Sequence, residues 1–290
     1  APRLHALPPR ARERIAAPES ASPAGRLLAL LAPWLEPLFP ADLARRGAAA
    51  GDRLAAPRAP AVRAAFEAAA RALGARPHAL FLPARPGIEI ALENTQPPSI
   101  VLSGGVEGLP APALDFLAAR SLELAAGGWA LVGKFAPRDV AILLELACRF
   151  AGARPAAAGL PEARAAAFLA ALVKSVPPSV RERAAPLAAE AADALPALDA
   201  RALAAGIRRT AGRVALLWTG DPGPALAALA ALDRRAESAP LDAAEALQLP
   251  DVRDLAAFAL SEELLDLRAA LAGEAGPGAP GRAPPGPARW

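Results

Sequence analysis

Histidine and cysteine are almost missing. His5, His78 and Cys148 are the whole supply in 290 residues, which excludes a His-rich zinc site, a thiolate cluster and an intramolecular disulfide. Tyrosine and methionine are absent and aromatics make up 4%. That is too few to line a sugar cleft or to build stacking platforms for single-stranded nucleic acid. Lys134 and Lys174 are the only lysines, so basic charge rests on Arg, a bias expected of a GC-rich genome. The 32 basic residues face 29 acidic ones and the two signs are interleaved. The pI near 9.9 therefore reflects scarce buffering between carboxylates and Arg, not a cationic face for nucleic acid. The longest stretch without a charged side chain, Asn94 to Val106, holds two Pro and two Gly and falls short of the ~18 apolar residues of a membrane helix. No signal peptide is visible. The chain reads as soluble and cytoplasmic, with Cys148, inside AILLELACRF, a buried small apolar residue. With no Met at position 1, it is expected to be part of a longer or processed protein.

What is present is helical pattern with a little sheet. Residues 1–25, rich in Pro, Arg and Ala, read as a disordered linker. A single domain is expected over 26–272, beginning with the apolar stripe RLLALLAPWLEPLF (Arg26–Phe39) and a helix from Pro60 to Leu73 stopped by Gly74. HALFLP, GIEIALE and PSIVLSG then give three short strands within about residues 78–103. In the second, Ile88, Ile90 and Leu92 alternate with Glu89 and Glu93. Helices are expected at Ala111–Ala126, Pro137–Ala151, Pro161–Val176, Pro178–Ala194, Asp199–Thr219, Pro222–Leu232 and Asp251–Ala272, several with Pro in the first turn. Asp251 is the expected N-cap of the last helix, which carries the stripe Leu260, Leu264, Leu267, Leu271. Residues 273–290 have the composition of a disordered Pro/Gly tail. The fold class is α+β and predominantly helical, a small three-stranded sheet packed by Ala-rich helices.

An apolar strand, a glycine turn and a helix follow one another in SIVLSGGVEGLPAPALDFLAARSLEL. This order resembles the active-site segment of HExxH-type zinc metallopeptidases, where two His at i and i+4 bind zinc and the Glu between them polarises water. On that resemblance Arg120 stands at the first His, Ser121 at the Glu and Leu124 at the second His, so all three functional positions are replaced. The resemblance spans roughly Leu80 to Gly133. The longer succession through LxFLxxRSLEL, GGW, TAGRVALLWTGD and DLAAFALSEELLDLRAAL is similar to the C-terminal region of large tetratricopeptide-repeat proteins of myxobacterial type. It implies a metallopeptidase-like domain that has lost its metal ligands and acts without catalysis.

Leu114, Leu117, Ser121 and Leu124 share one helical face and are expected in the core, with Arg120 paired to Glu123 at i, i+3. A sharper alternative has Arg120 filling the vacated metal pocket against a buried carboxylate. Arg120, Ser121 and Glu123 are the candidate binding residues at this degenerate motif. Arg208, Arg209 and Arg213 read as a solvated basic face, and Trp218 as packed at a helix end before the Gly220-Asp221-Pro222 turn. Ser103-Gly104-Gly105 is a weak anion-turn candidate, because Pro110 delays the helix. No serine lies in a GxSxG setting, and His78 has no local orienting partner, so nucleophilic catalysis lacks its parts. The sequence thus points to a non-catalytic interaction or scaffold module with a protein partner, no cofactor, no metal, no nucleic acid and no membrane contact. The rival readings are a hydrolase with carboxylate-held metal and a purely structural helical array.

Overall fold

Proline marks where most helices start and glycine where several stop. The computed structural model describes residues 3–55, 57–155, 161–232 and 241–274. It is mostly helical, at 68%, with a small three-stranded mixed sheet. Before the sheet lie α1 (Pro9–Arg14), α2 (Pro18–Ala21), α3 (Pro23–Leu35) and α4 (Pro60–Leu73). The strands are β1 (Ala79–Phe81), β2 (Ile90–Glu93) and β3 (Ser99–Leu102). After them come α5 (Ala111–Ala126), α6 (Trp129–Val132), α7 (Pro137–Phe150), α8 (Glu162–Ser175), α9 (Pro178–Ala194) and α10 (Ala200–Thr219). The chain continues through α11 (Pro222–Leu232), α12 (Ala243–Ala246), α13 (Pro250–Ala259) and α14 (Glu262–Glu274). Pro occupies the first or second position of α1 to α5, α7, α9 and α13, where its missing N–H removes no helical bond. Gly74 (φ 59°) and Gly220 (φ 66°) end α4 and α10 in the left-handed region.

β3 is the central strand, parallel to β1 and antiparallel to β2. Its run Ile100-Val101-Leu102 is buried on both faces, as expected of a strand flanked on either side. Ile100 and Leu102 join the main core with Phe66 and Phe116. Val101 and Phe81 meet Ala48 on the other face, and at the edge of β1 Leu54 N–H bonds to the Leu80 carbonyl at 2.8 Å. The Ser103-Gly104-Gly105 turn is committed to the fold. Ser103 Oγ donates to the Gly87 carbonyl, and a Cβ on Gly105 would lie 2.2 Å from that oxygen.

Two cores share two helices. The first gathers α4, most of α5, the C-terminal half of α10, α11 and α13 around Phe116 and Trp218. The second gathers α3, α7, α9 and the N-terminal half of α10 around Leu28, Leu31 and Leu144. Residues 3–25, expected as a linker, are docked instead. Leu4, Leu7, Ala11 and Ile15 enter the first core. Leu4 and Trp218 exchange two bonds, Leu4 N to the Trp218 carbonyl at 3.1 Å and Trp218 Nε1 to the Leu4 carbonyl at 2.9 Å. The spacing 4, 7, 11, 15 is itself helical, though Pro8, Pro9 and the arginines obscure it.

The single helix expected over Asp251–Ala272 is two. Ser261 separates them, its Oγ donating to the Phe258 carbonyl and accepting from Leu264 N–H at 3.3 Å. Leu260 consequently points to solvent, 87% exposed, whereas Leu264 and Leu267 are buried. The N-cap of α13 is Leu249, and Asp251 sits in its first turn. Of the expected tail, Gly273 and Glu274 belong to α14, and 275–290 lie outside the described residues. No helix among the described residues is long and apolar enough to cross a membrane.

The α2 turn nests against α10 because position 206 has no side chain. A Cβ there would sit 2.7 Å from Glu19 Cβ and 3.0 Å from Ser20 N. At Gly212, one and a half turns on, the nearest atom is Leu255 Cδ1 at 3.7 Å, an ordinary contact. Gly206→Ala is expected to destabilise the fold by about 1–3 kcal/mol. Gly212→Ala, in the same helix, is expected to stabilise it by about 0.5–1 kcal/mol, both measured by urea unfolding.

Candidate functional site

α5 runs between α4 and α10, so most of its surface is interior. Leu114, Leu117, Ser121 and Leu124 are all buried, as the expected core face requires. Ser121 Oγ donates back to the Leu117 carbonyl at 2.7 Å, a bond that satisfies the hydroxyl within its own helix. The expected Arg120–Glu123 pair does not form, because each residue meets an opposite charge from a distant segment. Arg120, 8% exposed, brings Nη2 to 3.8 Å from Asp251 Oδ2 on α13. That same oxygen accepts Arg208 Nε at 2.7 Å. Burial pushes the Arg120 guanidinium down to about 10; Asp251 opposes the fall and Arg208 adds to it. Its Nε has no hydrogen-bond partner. Arg120 thus does face a carboxylate, but within a two-arginine, one-aspartate junction between α5, α10 and α13.

Arg208, Arg209 and Arg213 are pins, not a solvated face. Arg209 reaches Glu19 at 2.7 Å. Arg213 grips Asp254 at two points, Nε at 3.0 Å and Nη2 at 2.6 Å, a geometry stronger than a single charge contact. Arg208 also lies over the Trp129 ring and Arg213 over Phe258. Their side chains are 34%, 28% and 21% exposed in chain order, so much of each has left water. Sequence reasoning missed these pairings, although DVRD on α13 sets Asp251 and Asp254 one turn apart on one face.

Another polar cluster, also missed, ties the sheet to the loop before α7. Glu93, 1% exposed, receives Lys134 Nζ at 2.5 Å and Arg46 Nε at 3.0 Å. Burial works against its charge, but Lys134, Arg46 and the Asp42 N–H outweigh that and hold Glu93 below its ordinary value. Lys134 also donates to Asn94 Oδ1 at 2.8 Å. The carboxylates Glu93, Glu123, Asp251 and Asp254 each face a cation of this chain. Among the described residues no three His, Cys, Asp or Glu side chains gather so that they could hold a metal ion. His78 lies 5.9 Å from the Phe66 ring. Burial lowers its pKa against a weak contact with the Arg76 carbonyl.

Of the three motif residues, Glu123 borders a cavity. It lines a cleft of 920 Å³ between α1, α3 and α9, with the last turn of α5 on the floor. Arg12 from the docked N-terminal arm covers it, Nη1 to Oε2 at 3.0 Å. Burial raises the Glu123 pKa and Arg12 only partly offsets the effect. Exposed Glu13, Arg26, Arg183 and Glu190 stand on the walls. The floor is made of small side chains, among them Ala126 and Gly127, and no imidazole or thiol is present. Ser20 Oγ, also in the cleft, is bonded to Thr210 Oγ1 and to the Ala17 carbonyl. Sequence could not have found this cleft, since its walls come from segments up to two hundred residues apart.

Comparison with known protein families, characterised proteins and solved structures finds no match for this chain.

The junction at Asp251 predicts an asymmetric mutational response. Asp251→Ala strands two guanidinium groups, one of them buried, and is expected to cost about 3 kcal/mol. Arg120→Met removes the buried charge and keeps its packing volume, so it is expected to cost less. In the double variant the second substitution should recover part of the loss from the first, a coupling read by denaturant unfolding of all four proteins.

Proposed function

We propose that this chain is a non-catalytic interaction module that takes a segment of a partner protein into the cleft between α1, α3 and α9. The observation that carries the reading is the chemistry of that cleft. Glu13, Arg26, Arg183 and Glu190 are exposed there, and none forms an ion pair within 4.0 Å among the described residues. One helix interior adds a backbone acceptor. Pro33 in α3 has no N–H to give, so the carbonyl of Ala29, a residue that lines the cleft, lacks its helical donor. Free charges of both signs, an unclaimed carbonyl and a floor of small residues suit a polypeptide, which brings N–H donors and side chains of either charge.

The resemblance to a metallopeptidase that has lost its ligands fits within this proposal, as does attachment to a tetratricopeptide-repeat scaffold. Arg120 is engaged with Asp251, Ser121 with its own helix, and Leu124 lies in the second core.

Two measurements test the proposal. Metal content by mass spectrometry, with peptide cleavage assayed after adding zinc, magnesium or calcium, is expected to show neither stoichiometric metal nor turnover. Metal-dependent cleavage would replace this reading with the hydrolase one. For the cleft, a photo-crosslinking residue at Leu187 in the producing cell should yield an adduct with one protein. That adduct is expected to disappear when Arg26 and Arg183 are both changed to Glu. An adduct indifferent to those reversals, or no adduct, contradicts the assignment of the cleft.

A further inference from the structure

Arg120 is a cation carried into the interior without a hydrogen bond. It is 8% exposed, its Nε is buried with no partner, and none of its N–H donors bonds to a described residue. Its ionic contact, Nη2 to Asp251 Oδ2, is 3.8 Å long, beyond hydrogen-bond distance. That oxygen already accepts Arg208 Nε at 2.7 Å. Two guanidinium groups therefore share one carboxylate oxygen.

The surrounding charges do not close the balance. Arg213 is held by Asp254, Arg209 by Glu19 and Arg12 by Glu123, each cation by a carboxylate of its own. The junction is left with two cations against one anion. Buried charges are ordinarily paired and buried donors ordinarily bonded, so the excess calls for an anion that no described residue supplies. Burial works against the charge on Arg120, Asp251 supports it and Arg208 works against it. A second anion beside the pair would favour both cations.

α13 brings further donors to the same place. It is a ten-residue helix that starts at Pro250 with no side-chain cap, and Asp251 lies in its first turn. N–H groups at a helix start lack helical acceptors, and the helix dipole puts partial positive charge there. The side chains of Arg120, Asp251 and Arg208 are 10%, 21% and 34% exposed. The junction thus runs inward from the surface to Arg120 and admits only something small. None of the three residues lines the cleft between α1, α3 and α9.

We propose that Arg120, Arg208 and the first turn of α13 form a site for one small free oxyanion of the phosphate class. Asp251 orients the two guanidinium groups. An oxyanion can accept from both at different oxygens, the geometry that suits arginine, whereas chloride has no separate oxygens to match the forks. Binding ties α5, α10 and α13 together where they meet and stabilises the folded chain by mass action.

The site is tested by NMR on the full chain labelled with ¹⁵N. Sodium phosphate is added to about 20 mM, with sodium chloride holding the ionic strength constant. The Nε–H signals of Arg120 and Arg208 are expected to follow one saturating curve, while that of exposed Arg164 does not. Arg120→Met should weaken binding about tenfold or more. Arg208→Lys, which keeps the charge but loses the fork, should also weaken it. The urea midpoint should rise with phosphate more steeply in the wild type than in Arg120→Met, which retains only the general effect of phosphate on folding. The absence of a saturating shift at Arg120 and Arg208 overturns the proposal. So does a shift that sodium chloride alone reproduces, or one that survives Arg120→Met. The wild-type titration decides the first two outcomes even if a variant fails to fold.

Discussion

Guanidinium groups on α10 can leave water because carboxylates on other segments meet them there. Arg209 takes Glu19 from the N-terminal arm, and Arg208 and Arg213 take Asp251 and Asp254 from α13. Like α5, α10 enters both cores, Ala211 belonging to one and Val214 to Trp218 to the other. Its apolar positions bury against α5 while its arginines fasten the elements packed on its remaining sides. Apolar burial supplies most of the driving force. Charge pairs decide which segment lies where, since a pin with the wrong partner would leave a half-buried charge unmet.

Much of the fold was legible from local signals. Pro at helix starts, Gly at the ends of α4 and α10, and the apolar run of β3 act within a few residues of one another. α4, α5 and α9 accordingly have the boundaries read from sequence, and α11 starts at the expected Pro222. What could not be read was nonlocal. Arg213 and Asp254 are 41 residues apart, Arg209 and Glu19 are 190, and no periodicity encodes such a meeting. The same limit explains the arm. Residues 3–25 look like a linker until Trp218 and the pocket for Ile15 are brought to them. It also explains the break at Ser261, where a continuous leucine pattern concealed a capping hydroxyl.

At the site, burial of Ser121 and Leu124 followed from the helical face they share. Arg120 stands 3.8 Å from Asp251, a residue that neither sequence reading named as its partner, and the i, i+3 pair with Glu123 was defeated by partners from distant segments. The cleft beside Glu123 was invisible because its character comes from what its residues do not do. Four exposed charges there have no ion pair among the described residues, and Pro33 leaves the Ala29 carbonyl without its helical donor.

The central claim is that the arginines of α10 work as structural pins, and Arg213 with Asp254 is the most direct place to measure it. A double-mutant cycle with Arg213→Met and Asp254→Asn, followed by denaturant unfolding, isolates their coupling from the rest of the core. For a two-point, largely buried pair the account predicts a coupling of about 2 kcal/mol. A value of about 0.5 kcal/mol or less, typical of an exposed pair, would mean that these charges decorate a fold held together by something else.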